Sequence, residues 1–234
     1  MNLKNKIVLI TGGNSGLGKA TAELMIEKGA KVIITGRDYE KSKEVAKNIG
    51  ALPYACDVTD DEQIDDLYKF IMEEFGRLDI LINNAGIGGH YPLTEISREE
   101  MKRTYEVNVF GATMVARGAA LIFKEQQNGN IVNVASTASL KGYANGSIYS
   151  SSKFALRGLT QCWQAELRKH NVRVIQINPS EVPTAFGNEE TRKEKPLEEN
   201  KLSPREIAHT IVSSLEMDNR GYIPEVTVHA TNPF

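Results

Sequence analysis

The chain contains few of the residues that build disulfide frameworks or metal sites. Its 234 residues include two cysteines, Cys56 and Cys162, and four histidines, and neither cysteine has a Cys or His neighbour at metal-ligand spacing. We therefore expect two reduced thiols, no metal site and a cytoplasmic protein.

Long apolar runs and an excess of one charge are also missing. No window approaches 18 consecutive apolar residues, and the N-terminal MNLKNKIVLITGG is too short in its apolar part for a signal sequence. The 28 Lys and Arg against 30 Asp and Glu give a net charge of −2, which supplies no basic surface. Neither a membrane nor a nucleic acid is expected as a partner.

Short β-branched segments alternate with longer segments of helical period, the pattern of βαβ units around a parallel sheet. The predicted strands are 6–11, 31–35, 53–58, 80–83, 131–135, 172–177 and 225–230. The helical patterns include 17–28, 62–75, 101–124 and 148–169. The pattern predicts an α/β fold in one domain, residues 1–234: a doubly wound Rossmann sheet of about seven parallel strands, with helices on both faces. Ligands then bind beyond the carboxyl ends of the strands.

One stretch departs from this alternation. Residues 188–201, NEETRKEKPLEENK, are charged and nearly devoid of large apolar side chains. This composition predicts a mobile surface segment.

A glycine-rich loop follows the first strand and leads into a helix. Its sequence is Thr11-Gly12-Gly13-Asn14-Ser15-Gly16-Leu17-Gly18. Glycines allow a tight turn and close approach of a pyrophosphate, whose charge is met by the N–H groups of the helix N-terminus. A plain strand-to-helix turn is the alternative interpretation, because such loops are common.

The end of the second strand favours NADP(H) over NAD(H). A carboxylate there would bind the ribose 2′-hydroxyl, whereas an arginine attracts a 2′-phosphate. Gly36 stands where the acid is expected, and Arg37 follows it. The alternative is that Asp38 binds the ribose and Arg37 is a solvated charge.

Two more strands end in polar residues at the same edge of the sheet. Asp57 follows the third strand and is a candidate for the adenine amino group, and Asn83-Asn84-Ala85-Gly86 follows the fourth. Each is an ordinary turn sequence by itself.

Tyr149 and Lys153 lie four residues apart in YSSSK, which places them on one helix face. Ser136, just after the fifth strand, can reach the same space. A neighbouring ammonium lowers the pKa of a phenol, so the pair could exchange a proton with a carbonyl or alcohol oxygen to which Ser136 also donates. The alternative is a helix start with serine caps and an incidental tyrosine.

The motifs TGGNSGLG, NNAG, Ser136, YSSSK and Asn178-Pro179 together resemble the short-chain dehydrogenase/reductase family over almost the whole chain, as in a 3-oxoacyl reductase or a sepiapterin reductase-like member. The resemblance implies Tyr149 as general acid and base, Ser136 as the carbonyl-orienting hydroxyl, and Lys153 as the ribose-binding partner that tunes the tyrosine. Asn108, in EVNVF, matches the asparagine that kinks its helix and holds a relay water. Thr184 matches a contact of the nicotinamide carboxamide. The implied cofactor cleft contains Gly12, Ser15, Leu17, Arg37, Asp57, Val58, Asn84 and Val182.

Two departures from the family pattern bear on the substrate. Ser180 and Glu181 follow Asn-Pro where glycine is usual, and the C-terminus lacks the Val-Asp-Gly-Gly ending of 3-oxoacyl-carrier-protein reductases.

Of the histidines, only His90 lies near the expected pocket, with Tyr91 and Tyr143 as candidate walls, although a loop-surface position is favoured.

The resulting prediction is an NADPH-dependent reductase of a ketone, aldehyde or 3-oxoacyl group, with an NAD-dependent alcohol dehydrogenase and a non-catalytic NADP-sensing regulator as alternatives. The long helices 101–124 and 148–169 are expected, from the resemblance, to pair across a two-fold axis in a homodimer or homotetramer.

Overall fold

The computed structural model describes residues 1–184, 186, 196 and 198–232. The strands are β1 (Ile7–Thr11), β2 (Lys31–Gly36), β3 (Leu52–Ala55), β4 (Ile80–Asn83), β5 (Gly129–Val134), β6 (Val172–Pro179) and β7 (Glu225–Val228). The helices are α1 (Gly16–Glu27), α2 (Tyr39–Ile49), α3 (Asp61–Phe75), α4 (Arg98–Tyr105), α5 (Ala112–Gln126), α6 (Ser147–Leu167) and α7 (Pro204–Glu216).

All seven strands join one sheet in the order β3-β2-β1-β4-β5-β6-β7, and every neighbouring pair is parallel. This confirms the predicted doubly wound sheet. Three strands are shorter than predicted, and β1 begins one residue late, at Ile7. β3 stops at Ala55, paired with Gly36 at the end of β2, so Cys56–Val58 run on without a partner strand. β7 stops at Val228, opposite Pro179, where β6 ends.

The sheet separates two hydrophobic layers. Along β1, Val8 and Ile10 pack on the α1 and α7 side, whereas Ile7 and Leu9 pack on the α3 and α5 side. Alternate residues of a strand point to opposite faces, so strands covered on both sides are apolar at every position. This explains why the core strands read as continuous hydrophobic runs.

Helix boundaries follow local chemistry. The side chain of Asp60 accepts hydrogen bonds from the N–H groups of Glu62 and Gln63 at the start of α3, and Gly76 ends that helix in the left-handed conformation (φ 67°). At α7, Ser203 and Glu206 form a reciprocal capping box. Such caps satisfy backbone groups that have no partner within the helix.

The predicted helix 101–124 contains a change of geometry. α4 and α5 are joined without a break by a π-helical turn, Glu106–Gly111, which includes Asn108. The whole run, Arg98–Gln126, is long and apolar enough to cross a membrane by length and composition alone. It lies among α3, α6 and strands β4 and β5, and core helices of globular proteins pass the same test.

The predicted mobile segment 188–201 falls mostly outside the described residues, which include only 196 and 198–201 of it. At its described end, Lys201 forms ion pairs with Glu181 (3.0 Å) and Glu198 (3.2 Å).

Candidate active site

A cleft of about 1660 Å³ opens along the carboxyl ends of the strands. It crosses the point where the strand order reverses between β1 and β4, the usual ligand crevice of open α/β sheets. Most predicted site residues line it: Gly12, Asn14, Ser15, Gly16, Leu17, Arg37, Asp57, Val58, Asn84, Ala85, Gly86, Ser136, Tyr149, Lys153, Val182 and Thr184. Gly18 and Asn108 do not.

The glycine-rich loop is held in shape by its neighbours. Gly12 and Gly16 have positive φ angles (62° and 51°), which other residues adopt only with strain. The side-chain amide of Asn84 donates to the carbonyls of Thr11 (2.9 Å) and Gly12 (3.1 Å). Asn84 therefore fixes the loop as well as lining the cleft.

Gly18, which was predicted to bind the cofactor, does not line the cleft. It is buried, and a Cβ on it would lie 2.4 Å from the carbonyl oxygen of Gly12. Glycine is needed there so that α1 can approach the loop closely.

The end of β2 combines a cationic residue with a capped helix. Arg37 and Lys41 both line the cleft. Asp38 is the N-cap of α2, and its Oδ1 accepts a hydrogen bond from the N–H of Lys41 (3.0 Å). Gly36 leaves room for Asn14, because a Cβ there would lie 2.4 Å from the Asn14 Nδ2. Asn14, rather than an acidic side chain, fills this corner.

Asp57 and Val58 line the cleft beyond the end of β3. Asp57 Oδ1 accepts hydrogen bonds from the backbone N–H (3.0 Å) and the hydroxyl (2.8 Å) of Thr59. The turn thus holds the carboxylate in place beside the cleft. Contact with an adenine amino group stays a prediction.

The start of α6 brings the predicted catalytic groups together. Tyr149 and Lys153 are buried, and the Lys153 Nζ lies 5.8 Å from the centroid of the Tyr149 ring. Lys153 Nζ donates to the carbonyl oxygen of Val134 (3.1 Å) at the end of β5. The Ser136 Oγ accepts from the N–H of Ala138 (3.1 Å), and its hydroxyl is close enough to the Tyr149 phenol to affect the pKa of that phenol.

The electrostatics of this group differ from the prediction. Burial raises the pKa of Tyr149 well above its ordinary value, and the nearby Ser136 hydroxyl opposes this effect only in part. Burial also lowers the pKa of Lys153 to about 8. Desolvation disfavours the charged form of both groups and outweighs the attraction that was expected to lower the tyrosine pKa. The phenol is therefore protonated at neutral pH.

Asn108 lies beneath the cleft, at the π-helical turn. Its Oδ1 accepts from the N–H of Ile87 (2.9 Å), and its Nδ2 donates to the carbonyl of Ile87 (2.9 Å) and to Ser152 Oγ (3.1 Å). The predicted distortion of its helix thus coincides with the π-turn. A role in holding a relay water stays a prediction.

Gly86 lies between Asn108 and Lys153. A Cβ at Gly86 would be 3.3 Å from Asn108 Oδ1 and 3.6 Å from Lys153 Nζ. Thr184 lies against the glycine-rich loop, because a Cβ at Gly16 would be 3.3 Å from the Thr184 Cβ. Val182 packs against the core cluster that contains Val8.

Aromatic rings form the wall beside Tyr149. The ring centroids of His90 and Phe186 each lie 5.6 Å from that of Tyr149. The His90 Nε2 lies 2.7 Å from the Tyr143 hydroxyl oxygen. His90 lies exposed in a loop, as the sequence favoured, and it also lines the cleft. Tyr91 is absent from the lining, and its hydroxyl donates to Glu100 (3.0 Å).

Several lining residues were not singled out from the sequence. Some of them, such as Cys56, Ile87 and His229, follow strand ends, which was the available signal, whereas Thr35 lies within β2, Lys41 within α2 and Val107 within the π-helical turn. Examples are Thr35, Lys41, Cys56, Ile87, Val107, Leu140, Lys141, Phe186, Lys201 and His229. Burial raises the pKa of the Cys56 thiol to about 12.

The fold and this cleft together define a dinucleotide-dependent oxidoreductase. A family model described as short chain dehydrogenase matches residues 6–195. An uncharacterized oxidoreductase of Staphylococcus aureus is 34% identical over 229 residues, with 97% of each chain covered.

Solved structures agree with this likeness. An alcohol dehydrogenase from Thermococcus sibiricus, complexed with 5-hydroxy-NADP, is 27% identical with a TM-score of 0.88, and 97% of each chain is covered. A 3-ketoacyl-(acyl-carrier-protein) reductase from Brucella melitensis, complexed with NADH, is 29% identical with a TM-score of 0.87, covering 99% of this chain and 100% of that one. The chain belongs to the short-chain dehydrogenase family and is an oxidoreductase that acts with NAD(P)(H).

Proposed function

We propose that this protein is an NADPH-dependent reductase that converts a ketone, an aldehyde or a 3-oxoacyl group into an alcohol. The observation that carries the proposal is the buried Tyr149, which lines the dinucleotide cleft together with Ser136 and Lys153. The bound NADPH would supply the hydride. The protein would supply the proton and the geometry.

The roles of the three catalytic side chains follow from their contacts. A carbonyl oxygen beside Tyr149 and Ser136 would accept hydrogen bonds from both hydroxyls, which stabilise the negative charge that develops there. Tyr149 would then give its proton to that oxygen. Lys153, anchored to the Val134 carbonyl, would bind the ribose of the cofactor.

The preference for NADPH rests on the end of β2. Arg37 and Lys41 line the cleft, and the carboxylate of Asp38 is bonded to the backbone of α2. This engagement of Asp38 weakens the alternative in which it binds a ribose hydroxyl. The similar proteins bind either kind of cofactor, since the complexes described above contain 5-hydroxy-NADP in one case and NADH in the other.

The proposal is tested by following NADPH consumption with a panel of ketones, aldehydes and 3-oxoacyl thioesters. Reduction of any of them by the wild-type protein, abolished in a Tyr149→Phe Lys153→Ala double variant, supports it. NADPH binding without turnover of any carbonyl or alcohol would instead indicate an NADP-sensing regulator. Turnover of alcohols with NAD, at a rate that does not depend on whether the cofactor carries the 2′-phosphate, would indicate an NAD-dependent dehydrogenase.

Arg37→Ala is expected to weaken NADPH binding by about tenfold or more, because a charge-assisted bond to the 2′-phosphate is lost. NADH binding should change by less than about twofold, since it has no such phosphate. Fluorescence titration of both cofactors measures this, with Lys47→Ala, an exposed position on α2 outside the cleft, as the control. Equal affinity of the wild type for NADPH and NADH would contradict the preference.

We also propose that the protein is a homodimer or homotetramer built on α5 and α6. Phe110, Leu121 and Phe154 are 52%, 55% and 42% exposed, which is unusual for large apolar side chains on adjacent helices. Leu121 also borders a groove of about 370 Å³ between α5 and α6, which Trp163 lines. Pairing of such faces across a two-fold axis would bury them.

Leu121→Glu is therefore expected to reduce the assembly to a lower mass, because a carboxylate would be buried without a partner. Light scattering at micromolar concentration measures the mass. Leu93→Glu is the matched control, since Leu93 is 79% exposed and lies outside this groove. A wild-type protein of monomer mass would contradict the proposal.

A further inference from the structure

The side chains of His90 and Tyr143 form a bonded pair that faces the cleft. The Tyr143 hydroxyl and the His90 Nε2 are 2.7 Å apart, and both residues line the cleft beside Tyr149. Tyr143 is 46% exposed, so the pair is open to a bound molecule. The resemblance to the family gives this pair no role.

Holding the two loops together does not require this pair. The N–H of Tyr91 donates to the carbonyl of Asn145 (2.9 Å), which already joins the loop of His90 to the loop of Tyr143. Gly146 packs under the Tyr143 ring, where a Cβ would lie 2.7 Å from the ring atoms. A Cβ at Gly88 would lie 3.3 Å from His90 and 3.4 Å from Phe186. Glycines therefore let these rings close around the space next to Tyr149.

The His90–Tyr143 pair has one hydrogen-bond donor to spare. Burial lowers the pKa of His90, so the imidazole is neutral near pH 7 and has one N–H, while Tyr143 has one O–H. One of these two protons lies in the bond between them. The other is left to donate, whichever tautomer the histidine adopts. A neutral pair with one spare donor suits an uncharged oxygen acceptor.

The distance between the rings limits where that acceptor lies on the substrate. The His90 and Tyr149 ring centroids are 5.6 Å apart. Both side chains line the same cleft, and a hydrogen bond spans about 2.8 Å. Two oxygens on adjacent carbons, or one carbon apart, can then be bound together, one by Tyr149 and one by the pair.

We propose that the His90–Tyr143 pair binds a second oxygen of the substrate, and that the substrate class is an α- or β-dicarbonyl compound. This inference rests on the proposed reductase function. The carbonyl beside Tyr149 would be reduced to the alcohol by hydride from NADPH and a proton from Tyr149. The second carbonyl would stay unreduced and accept the hydrogen bond.

The test compares butanedione with butanone, which differ by one carbonyl oxygen, in the NADPH-consumption assay. His90→Phe retains a ring and removes the hydrogen-bonding nitrogens. This substitution should lower kcat/KM for butanedione by about tenfold or more, because one hydrogen bond to a positioned substrate is lost. It should change kcat/KM for butanone by less than about twofold. His90→Gln keeps a donor and should recover part of the loss.

Tyr91→Phe is the matched control, because it removes a neighbouring hydroxyl that bonds to Glu100 outside the cleft. It should leave the ratio of kcat/KM for butanedione to kcat/KM for butanone unchanged. If His90→Phe lowers kcat/KM equally for both substrates, or for neither, the inference is overturned while the reductase function stands. A wild-type protein that reduces neither compound, nor any other carbonyl, overturns the proposed function and the inference with it.

Discussion

Tyr149→Phe is expected to lower kcat/KM for carbonyl reduction by roughly 10²-fold or more, the usual contribution of a positioned acid. The ring that packs between His90 and Phe186 is retained, so only the proton donor is lost. NADPH affinity should stay within about twofold of the wild-type value, since the glycine-rich loop and Arg37 are untouched. Steady-state kinetics and fluorescence titration on the same preparation measure both quantities.

A second tyrosine provides the control for this variant. Tyr54 packs its ring on Phe70, with centroids 4.9 Å apart, and it does not line the cleft. Tyr54→Phe should therefore leave turnover unchanged. Near-normal turnover in Tyr149→Phe would show that YSSSK is only a helix start, and the proposed mechanism would have to be abandoned.

Lys153→Met is expected to abolish most turnover and at the same time to stabilise the fold. The lysine is buried, and burial lowers its pKa to about 8 from the ordinary 10.5. A tenfold change in proton affinity between the folded and unfolded chains corresponds to about 1.4 kcal/mol, so the charged lysine costs on the order of 3 kcal/mol of folding free energy at pH 7. Part of this gain is offset by losing the bond to the Val134 carbonyl. A net stabilisation of roughly 1–3 kcal/mol is expected.

The pH dependence of this stabilisation has a definite sign. Between about pH 8 and 10.5 the unfolded chain holds a proton on Lys153 that the folded chain has lost, so wild-type stability rises with pH in that window. Below about pH 8 the lysine is charged in both states and its full cost is present. The advantage of Lys153→Met should therefore be largest at neutral pH and should shrink as the pH approaches 10.5.

Thermal and urea unfolding without cofactor, at one protein concentration, measure this difference. Lys47→Met, an exposed substitution on α2, is the control and should change stability by less than about 0.5 kcal/mol. A Lys153→Met protein that is less stable than wild type at pH 7 would show that the lysine contributes to the fold through its contacts, rather than reducing its stability through burial.

The sequence predicts the sheet well because its strands are buried on both faces. All seven predicted strands are present, and β4 has the predicted bounds, Ile80–Asn83. The ends of β3 and β7 could not be predicted, because they depend on where a neighbouring strand stops. Helix α2 was not among the segments singled out from the sequence, and its buried residues, Ser42 and Ala46, are both small.

The site was predictable where a residue acts at a fixed spacing from a strand end or along one helix. Tyr149 and Lys153 are of this kind. The wall formed by His90, Tyr143 and Phe186 was harder to predict, because its loops meet only in the folded chain. The pKa of Tyr149 was predicted in the wrong direction, because the sequence shows the nearby charge but not the degree of burial.

The π-helical turn Glu106–Gly111 constrains insertions and deletions in this chain. An α-helix turns by about 100° per residue, so removing one residue from this stretch would rotate α5 by about 100° relative to α4. The bond from Asn83 Nδ2 to the Ala112 carbonyl (2.7 Å) would then be broken. Gly111, whose Cβ would lie 2.4 Å from the Val58 carbonyl, would be replaced at that contact by a larger neighbour. Substitutions here act locally, whereas a single-residue deletion would change the phase of the whole second half of the helix.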